Sequence, residues 1–202
     1  MEDWVHRALQ RWPNVPALFG WLALDRRGRW LIRGEPITRP QIIDTIDRNY
    51  GVDAYGRWYF QNGPQRGYMK LEAAPFVLRV AADGAALRTH TGLPVTAPTQ
   101  AFLDEEGSLL LVTEHGPALL ADHDLDWALT RLRAGGAPVG EAALAAALAT
   151  PSGQPSDLEL AIGDRALRVR RLDRAQWPAA LGYVLDPQPR DGERATRGDT
   201  PA

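Results

Sequence analysis

The chain has no cysteine. That absence removes a disulfide framework, thiolate zinc sites, iron–sulfur ligation and a cysteine nucleophile together. Serine is scarce: Ser108, Ser152 and Ser156 are the only three, and none stands in a Gly-x-Ser-x-Gly turn, so a serine triad lacks its nucleophile. Lys70 is the only lysine and no glycine-rich phosphate loop precedes it; a Gly-x-Gly-x-x-Gly fingerprint is missing as well. No stretch reaches the roughly 20 apolar residues of a membrane helix, and the opening MEDWVHRALQRW has no apolar run of signal-peptide length. These absences point to a cytoplasmic protein without membrane attachment and without a cofactor.

What is present suits a globular chain: 202 residues, 45% of them apolar, with a net charge of −2. The charge is unevenly placed. Residues 26–71 hold 9 basic and 4 acidic side chains (net +5), whereas residues 72–164 hold 4 and 13 (net −9). Folding can interleave such blocks, two copies can pair through them, or the basic block can take an anionic ligand.

Three Asp-x-x-Gly turns, Asp25–Gly28, Asp53–Gly56 and Asp104–Gly107, each open an apolar strand, and the first two continue with Arg-Trp. The Asp carboxylate can accept the turn's N–H groups while glycine takes positive φ, so the pattern predicts hairpins. Helices are expected over 3–12 with Asp3 as cap, over 39–51 with Thr38 as cap and Gly51 as stop, over 121–136 with Asp122 as cap, over 140–149, and briefly within 174–185. A hairpin is expected to turn at Gly163-Asp164. The segments starting at Leu24 and Leu103 share an order of strand, Asp-x-x-Gly turn, strand, Gly-Pro step and helix, which reads as an internal repeat offset by 79 residues. The resulting plan is an N-terminal helix and linker (1–17), a first lobe (18–100), a second lobe (101–185) and a disordered tail (186–202).

The stretch YGVDAYGRWYFQNGPQRGYMKLE (50–72) gathers aromatics, glycines and arginines. Asn62-Gly63 is a hairpin signal, and period-two alternation puts Trp58, Phe60, Met69 and Leu71 on a core face. The opposite face carries Arg57, Tyr59, Gln61, Arg66, Tyr68, Lys70 and Glu72, and either binds an anionic ligand or is covered by a second layer. The acids of Asp122, Asp124 and Asp126 beside His123, with His115, have metal-ligating residue types. They read instead as helix-terminal acids and an exposed histidine, and no metal is assigned.

Residues 24–80 resemble the N-terminal half of a proteobacterial family known as a domain of unknown function. The resemblance rests on Gly28 with Trp30, the step Gly34-Glu35-Pro36-Ile37-Thr38-Arg39, Gly56 with Tyr59, and Leu71-Glu72-Ala73-Ala74-Pro75-Phe76, with LRTHTGLPVTA (87–97) continuing it. It spans about residues 20–135. It implies an α+β fold of two similar motifs, each a curved, mostly antiparallel sheet wrapped around an amphipathic helix, and suggests ligand sensing or signalling by shape. Asn62-Gly63-Pro64-Gln65-Arg66 departs from the family's Thr-Pro-Val-Glu-Lys-like stretch.

The function expected on these grounds is a non-catalytic ligand- or partner-binding, regulatory module. Its site comprises Arg57, Tyr59, Asn62, Gln65, Arg66 and Tyr68, facing a small anionic ligand or a protein partner. The alternatives are an enzyme acting on a small anionic substrate with Glu72 as base, or a homo-oligomeric assembly protein pairing the +5 and −9 segments. Nucleic acid ranks last, because the net charge is negative.

Overall fold

Residues 17–193 and 195–197 are described by the computed structural model. They are α+β, with two curled mixed sheets and four short helices. Among them no helix is long and apolar enough to cross a membrane. The chain divides into two units, one running to Pro75 and resuming at Gly182, the other Phe76–Leu181. The expected boundary at 100 therefore moves to 75, because the strands between 76 and 95 pair into the second sheet. The helix expected over 3–12 lies outside the described residues.

In the first unit the strands are β1 (Ala17–Leu24), β2 (Trp30–Ile32), β3 (Glu35–Pro36), β4 (Tyr50–Val52), β5 (Trp58–Asn62) and β6 (Gln65–Leu71). Helix α1 (Pro40–Arg48) lies between β3 and β4. The sheet order is β3-β2-β1-β6-β5-β4, with β1 antiparallel to β2 and parallel to β6. Leu18, Leu22, Leu24, Ile32, Met69 and Leu71 of the central strands are buried, as are Trp58 and Phe60. Proline at the first helical position starts α1, where its missing N–H costs nothing. Arg39, not Thr38, holds the cap position, without a side-chain capping bond to the helix N-terminus. The helix stops at Asn49, and Gly51 belongs to β4. Ile46 is buried, and the Trp30 indole N–H donates to Asp47 Oδ1 at 2.7 Å, tying α1 to β2.

The second unit contains β7 (Phe76–Val80), β8 (Leu87–Thr89), β9 (Pro94–Val95), β10 (Gln100–Leu103), β11 (Leu109–Thr113) and β12 (Gly116–Leu120). These are followed by a 3₁₀ turn (Asp122–Asp124), α2 (Leu125–Leu129), β13 (Leu132–Ala134), β14 (Ala137–Pro138) and α3 (Glu141–Ala149). Then come β15 (Pro155–Ile162), β16 (Arg165–Arg171), a 3₁₀ turn (Arg174–Gln176) and α4 (Trp177–Leu181). The sheet order is β14-β13-β15-β16-β10-β11-β12-β7-β8-β9. Leu109–Leu111 and Ala118–Leu120 are buried without alternation, as strands covered on both faces require. The helix expected over 121–136 is cut to Leu125–Leu129, since Leu132–Ala134 pair with Leu158–Leu160 instead. Asp122 does not cap it.

The two sheets share a strand circuit. β1 and β10 are placed alike: each lies between an antiparallel partner (β2 or β11) and a parallel one (β6 or β16) that closes a hairpin. The chain then returns to the first unit. Tyr183 is buried with its hydroxyl donating to Ala73 O at 2.7 Å, the Val184 and Leu71 N–H groups donate to Gly56 O and Leu185 O, and β17 (Ala195–Arg197) pairs parallel with Ala17–Phe19 of β1. Of the segment from 186, expected to be a disordered tail, Ala195–Arg197 form a strand in the first sheet, and residues 194 and 198–202 lie outside the described residues.

Candidate functional site

The Asp-x-x-Gly turns are built alike. Asp25 Oδ1 accepts the N–H groups of Arg27 and Arg29 at 3.0 and 2.8 Å, and its Oδ2 meets Arg29 Nε at 2.6 Å. Asp53 does the same with the N–H groups of Tyr55 and Arg57 (2.9 and 3.1 Å) and with Arg57 Nε at 2.8 Å. At Asp104 the residue four places on is Ser108, which gives its N–H but has no guanidinium. Arg174 fills the vacancy from 70 residues away, donating to Oδ2 from Nε and Nη2 at 2.9 and 2.6 Å. A buried carboxylate needs a cation as well as N–H donors, and the fold supplies one where the local sequence does not.

The β5–β6 hairpin turns through Gly63-Pro64, pairing Asn62 with Gln65, and Gly63 takes φ +56°. Its core face is as expected from alternation: Trp58, Phe60, Met69 and Leu71 are buried. The other face differs from a plain outer surface. Tyr68 is 2% exposed and stacks on Phe19 of β1, with ring centroids 4.4 Å apart and planes 5° apart. Tyr59 sits edge-on to Tyr68 at 5.8 Å, and Ala17 and Ala195 complete the cluster.

Arg57 is also buried, and all five of its N–H groups are used. Nε donates to Asp53, Nη1 to Gln188 O (3.0 Å) and Glu193 Oε2 (2.8 Å), and Nη2 to the Tyr68 hydroxyl (3.0 Å) and Glu193 Oε1 (3.1 Å). The Tyr68 hydroxyl in turn donates to Asp53 Oδ2 at 3.2 Å. Burial works against the Arg57 charge, but the hydrogen bonds of Glu193 and Asp53 outweigh it and hold the guanidinium protonated. Burial likewise opposes the Asp53 charge; the N–H of Tyr55 and the Arg57 side chain overcome it and lower its pKa. Glu193 is lowered chiefly by Arg57, and burial raises Tyr68.

The six expected site residues therefore separate. Arg57 and Tyr68 are corrected from surface to interior, because β1 together with Gln188, Glu193 and Ala195 supplies the covering layer. Asn62 and Arg66 stay exposed, and Tyr59 and Gln65 are half-buried. The Arg66 guanidinium lies 4.4 Å over the Tyr59 ring, and its Nε donates to Gln61 Oε1 at 3.3 Å. Gln61 Nε2 donates to the carbonyls of Gly63 and Gln65, fixing the hairpin tip.

Sequence reasoning missed Phe19, Tyr55, Gln188, Arg190 and Glu193. The repeated Asp-x-x-Gly-Arg could have flagged Arg57 as the partner of Asp53; nothing local announces Glu193, 136 residues from Arg57. Glu72, named as a base for the enzymatic alternative, accepts the Arg26 N–H at 3.0 Å and so braces a turn. His115 Nε2 lies 2.9 Å from Pro94 O, and His123 Nε2 is 3.5 Å from Asp124. Among the described residues no group of three or more histidines and acids could hold a metal ion.

A family model, DUF2944, described as "Protein of unknown function (DUF2946)", matches residues 1–188. No curated protein matches the chain. Among solved structures, the chain is similar to a DUF1285 family protein from Silicibacter pomeroyi DSS-3, with 17% identity and a TM-score of 0.52 over 78% of this chain and 84% of that one. A DUF1285 family protein from Shewanella baltica OS155 matches at 15% identity and a TM-score of 0.39 over 52% and 87%. The first likeness is one of fold.

Proposed function

The chain belongs to the DUF2944 family, and we propose that it is a non-catalytic ligand- or partner-binding module that uses the β5–β6 hairpin. The observation that carries this is the exposed Arg66 guanidinium held 4.4 Å over Tyr59, a ring backed in turn by buried Tyr68. A guanidinium held over an aromatic ring has already lost part of its side-chain freedom, and it offers a planar fork to a carboxylate or phosphate. Asn62 and Gln65 flank it with amides that can donate or accept. An anionic ligand, or an acidic patch on a protein partner, fits this chemistry.

The test is native mass spectrometry of freshly purified protein against its denatured mass, for the natural chain and for Tyr59→Ala with Arg66→Ala. An excess mass that disappears on denaturation, and is lost in the folded double variant, supports the reading. Retention of that mass by the double variant refutes it, and so does unfolding of the variant, which would make the hairpin face structural.

A further inference from the structure

The C-terminal segment is fastened to the first unit in a manner that separates it from the core. Up to Leu185 the returning chain is anchored by buried Tyr183 and by backbone bonds of Val184 and Leu185. After Leu185 the sequence has no Val, Leu, Ile, Met or aromatic residue. What holds residues 188–193 and 195–197 is mainly polar: the Gln188 carbonyl on Arg57, the two Glu193 oxygens on the two Arg57 Nη groups, and parallel pairing of Ala195–Arg197 with Ala17–Phe19; Ala195 adds an apolar contact, packed against the Phe19–Tyr68 cluster. Arg190 adds its guanidinium 3.6 Å over the exposed Tyr55 ring. Arg190 and Glu193 close a turn, with the Arg190 N–H donating to Glu193 Oε2 at 3.0 Å and the Glu193 N–H to the Arg190 carbonyl at 3.0 Å. Strand addition at a sheet edge with one side chain anchored in a pocket is how folded domains take extended peptides.

We infer that the edge of β1 at Ala17–Phe19, together with Arg57 and Tyr55, is a binding groove for an extended, carboxylate-bearing peptide, and that the chain's own residues 188–193 and 195–197 fill it as a tethered ligand. The groove keeps its charge balance when the segment leaves, because Asp53 still pairs with Arg57 Nε and the Tyr68 hydroxyl bridges the two. Glu193 marks where the incoming acid sits, two residues before the strand, and the fork of Arg57 Nη1 and Nη2 reads both of its oxygens. Tethering gives the internal segment an effective concentration on the order of millimolar, so a partner peptide competes only when it binds more tightly or when the tether is loosened. The inference rests on reading this side of the hairpin as a recognition surface, and it adds the class of partner and the means by which access is regulated.

The experiment uses full-length chains and a fluorescent peptide of residues 186–202, followed by anisotropy. Glu193→Gln removes the anchoring charge, and Glu193→Lys places a like charge beside Arg57 to expel the segment. At least one variant is expected to bind the peptide ten-fold or more tightly than the natural chain does. The same peptide carrying Gln at its 193 position is expected to lose at least ten-fold in affinity. Absence of peptide binding to both variants overturns the inference, as does equal binding to the natural chain and the variants. Unfolding of both variants, followed by circular dichroism, also overturns it, since the segment would then be a fixed part of the fold. Failure here is distinct from failure of the hairpin reading. No peptide binding beside a retained mass that depends on Arg66 overturns this inference alone, and peptide binding beside a retained mass indifferent to Arg66 overturns the hairpin reading alone.

Discussion

Asp25–Arg29 and Asp53–Arg57 are nearly the same local object in two environments, and replacing each arginine by alanine separates the local from the tertiary contribution. Arg29 has 51% of its side chain exposed and one carboxylate partner, whereas Arg57 is 6% exposed and joins Asp53, Glu193, Tyr68 and Gln188. Asp25 is buried, but Arg29→Ala leaves it the N–H groups of Arg27 and Arg29 and opens the half-exposed site of the lost side chain to water, so the cost is about 1 kcal/mol. Removing one partner of a buried pair costs about 3–5 kcal/mol, because the remaining charges lose their counterion while still shielded from water. Arg57→Ala should thus weaken the first unit by about 3 kcal/mol or more, over a hundred-fold in its folding equilibrium, while Arg29→Ala changes it by no more than about ten-fold. Urea titration followed by tryptophan fluorescence gives the two values, and amide exchange of β5 and β6 locates the loss. The folded pKa values of Asp53 and Glu193 are both lowered. Their stabilisation is therefore complete above the ordinary carboxylate range and disappears as pH falls through the depressed values, so Arg57→Ala should flatten the acid side of the stability profile. An Arg57→Ala cost no larger than that of Arg29→Ala would refute the claim that burial, and not the turn motif, makes this cluster stabilising.

Glu114 accepts the Thr96 N–H at 2.6 Å and the Thr96 hydroxyl at 2.8 Å; against an opposing burial effect, these bonds and the Ala97 N–H lower its pKa to about 2. Its contribution is present above pH 4.5 and fades toward pH 2, so Glu114→Gln should remove that part of the acid dependence, read from urea midpoints at stepped pH. Alanine at Gly56 would place Cβ 2.4 Å from the Gly182 carbonyl oxygen at φ +74°, whereas at Gly63 it meets nothing within 4 Å at φ +56°. Gly63→Ala should cost about 1 kcal/mol of backbone strain alone, and Gly56→Ala clearly more, as measured by chemical denaturation. Trp177 is fully buried with its indole N–H donating to Leu172 O at 3.0 Å, so Trp177→Ala should cost about 3–5 kcal/mol in a denaturant melt of the second unit.

Much of the candidate site was legible because its parts are local. The Asp-x-x-Gly turns follow from an aspartate reaching N–H groups two and four residues on, and Asn62-Gly63 signalled the hairpin. Alternation over 58–71 separated Trp58, Phe60, Met69 and Leu71 from the opposite face, since adjacent residues of a strand point to opposite sides. The helix over Glu141–Ala149 matches its Ala-rich run closely. The helix expected over 121–136 does not, because its leucine spacing also suits a short helix followed by a strand, and pairing with β15 decided between them.

What the sequence determined by itself was the turns, the hairpins, the α+β class and the sidedness of β5 and β6. Each depends on residues a few positions apart, within reach of one another in any chain that forms the turn. Only the tertiary structure decided that β1 runs parallel to β6, that Phe19 covers Tyr68, and that Glu193 completes Arg57. Those contacts join segments as much as 136 residues apart in the chain. A charged face on a strand looks the same in sequence whether water or a returning segment covers it; the folded chain supplies the partner that makes burial of Arg57 affordable.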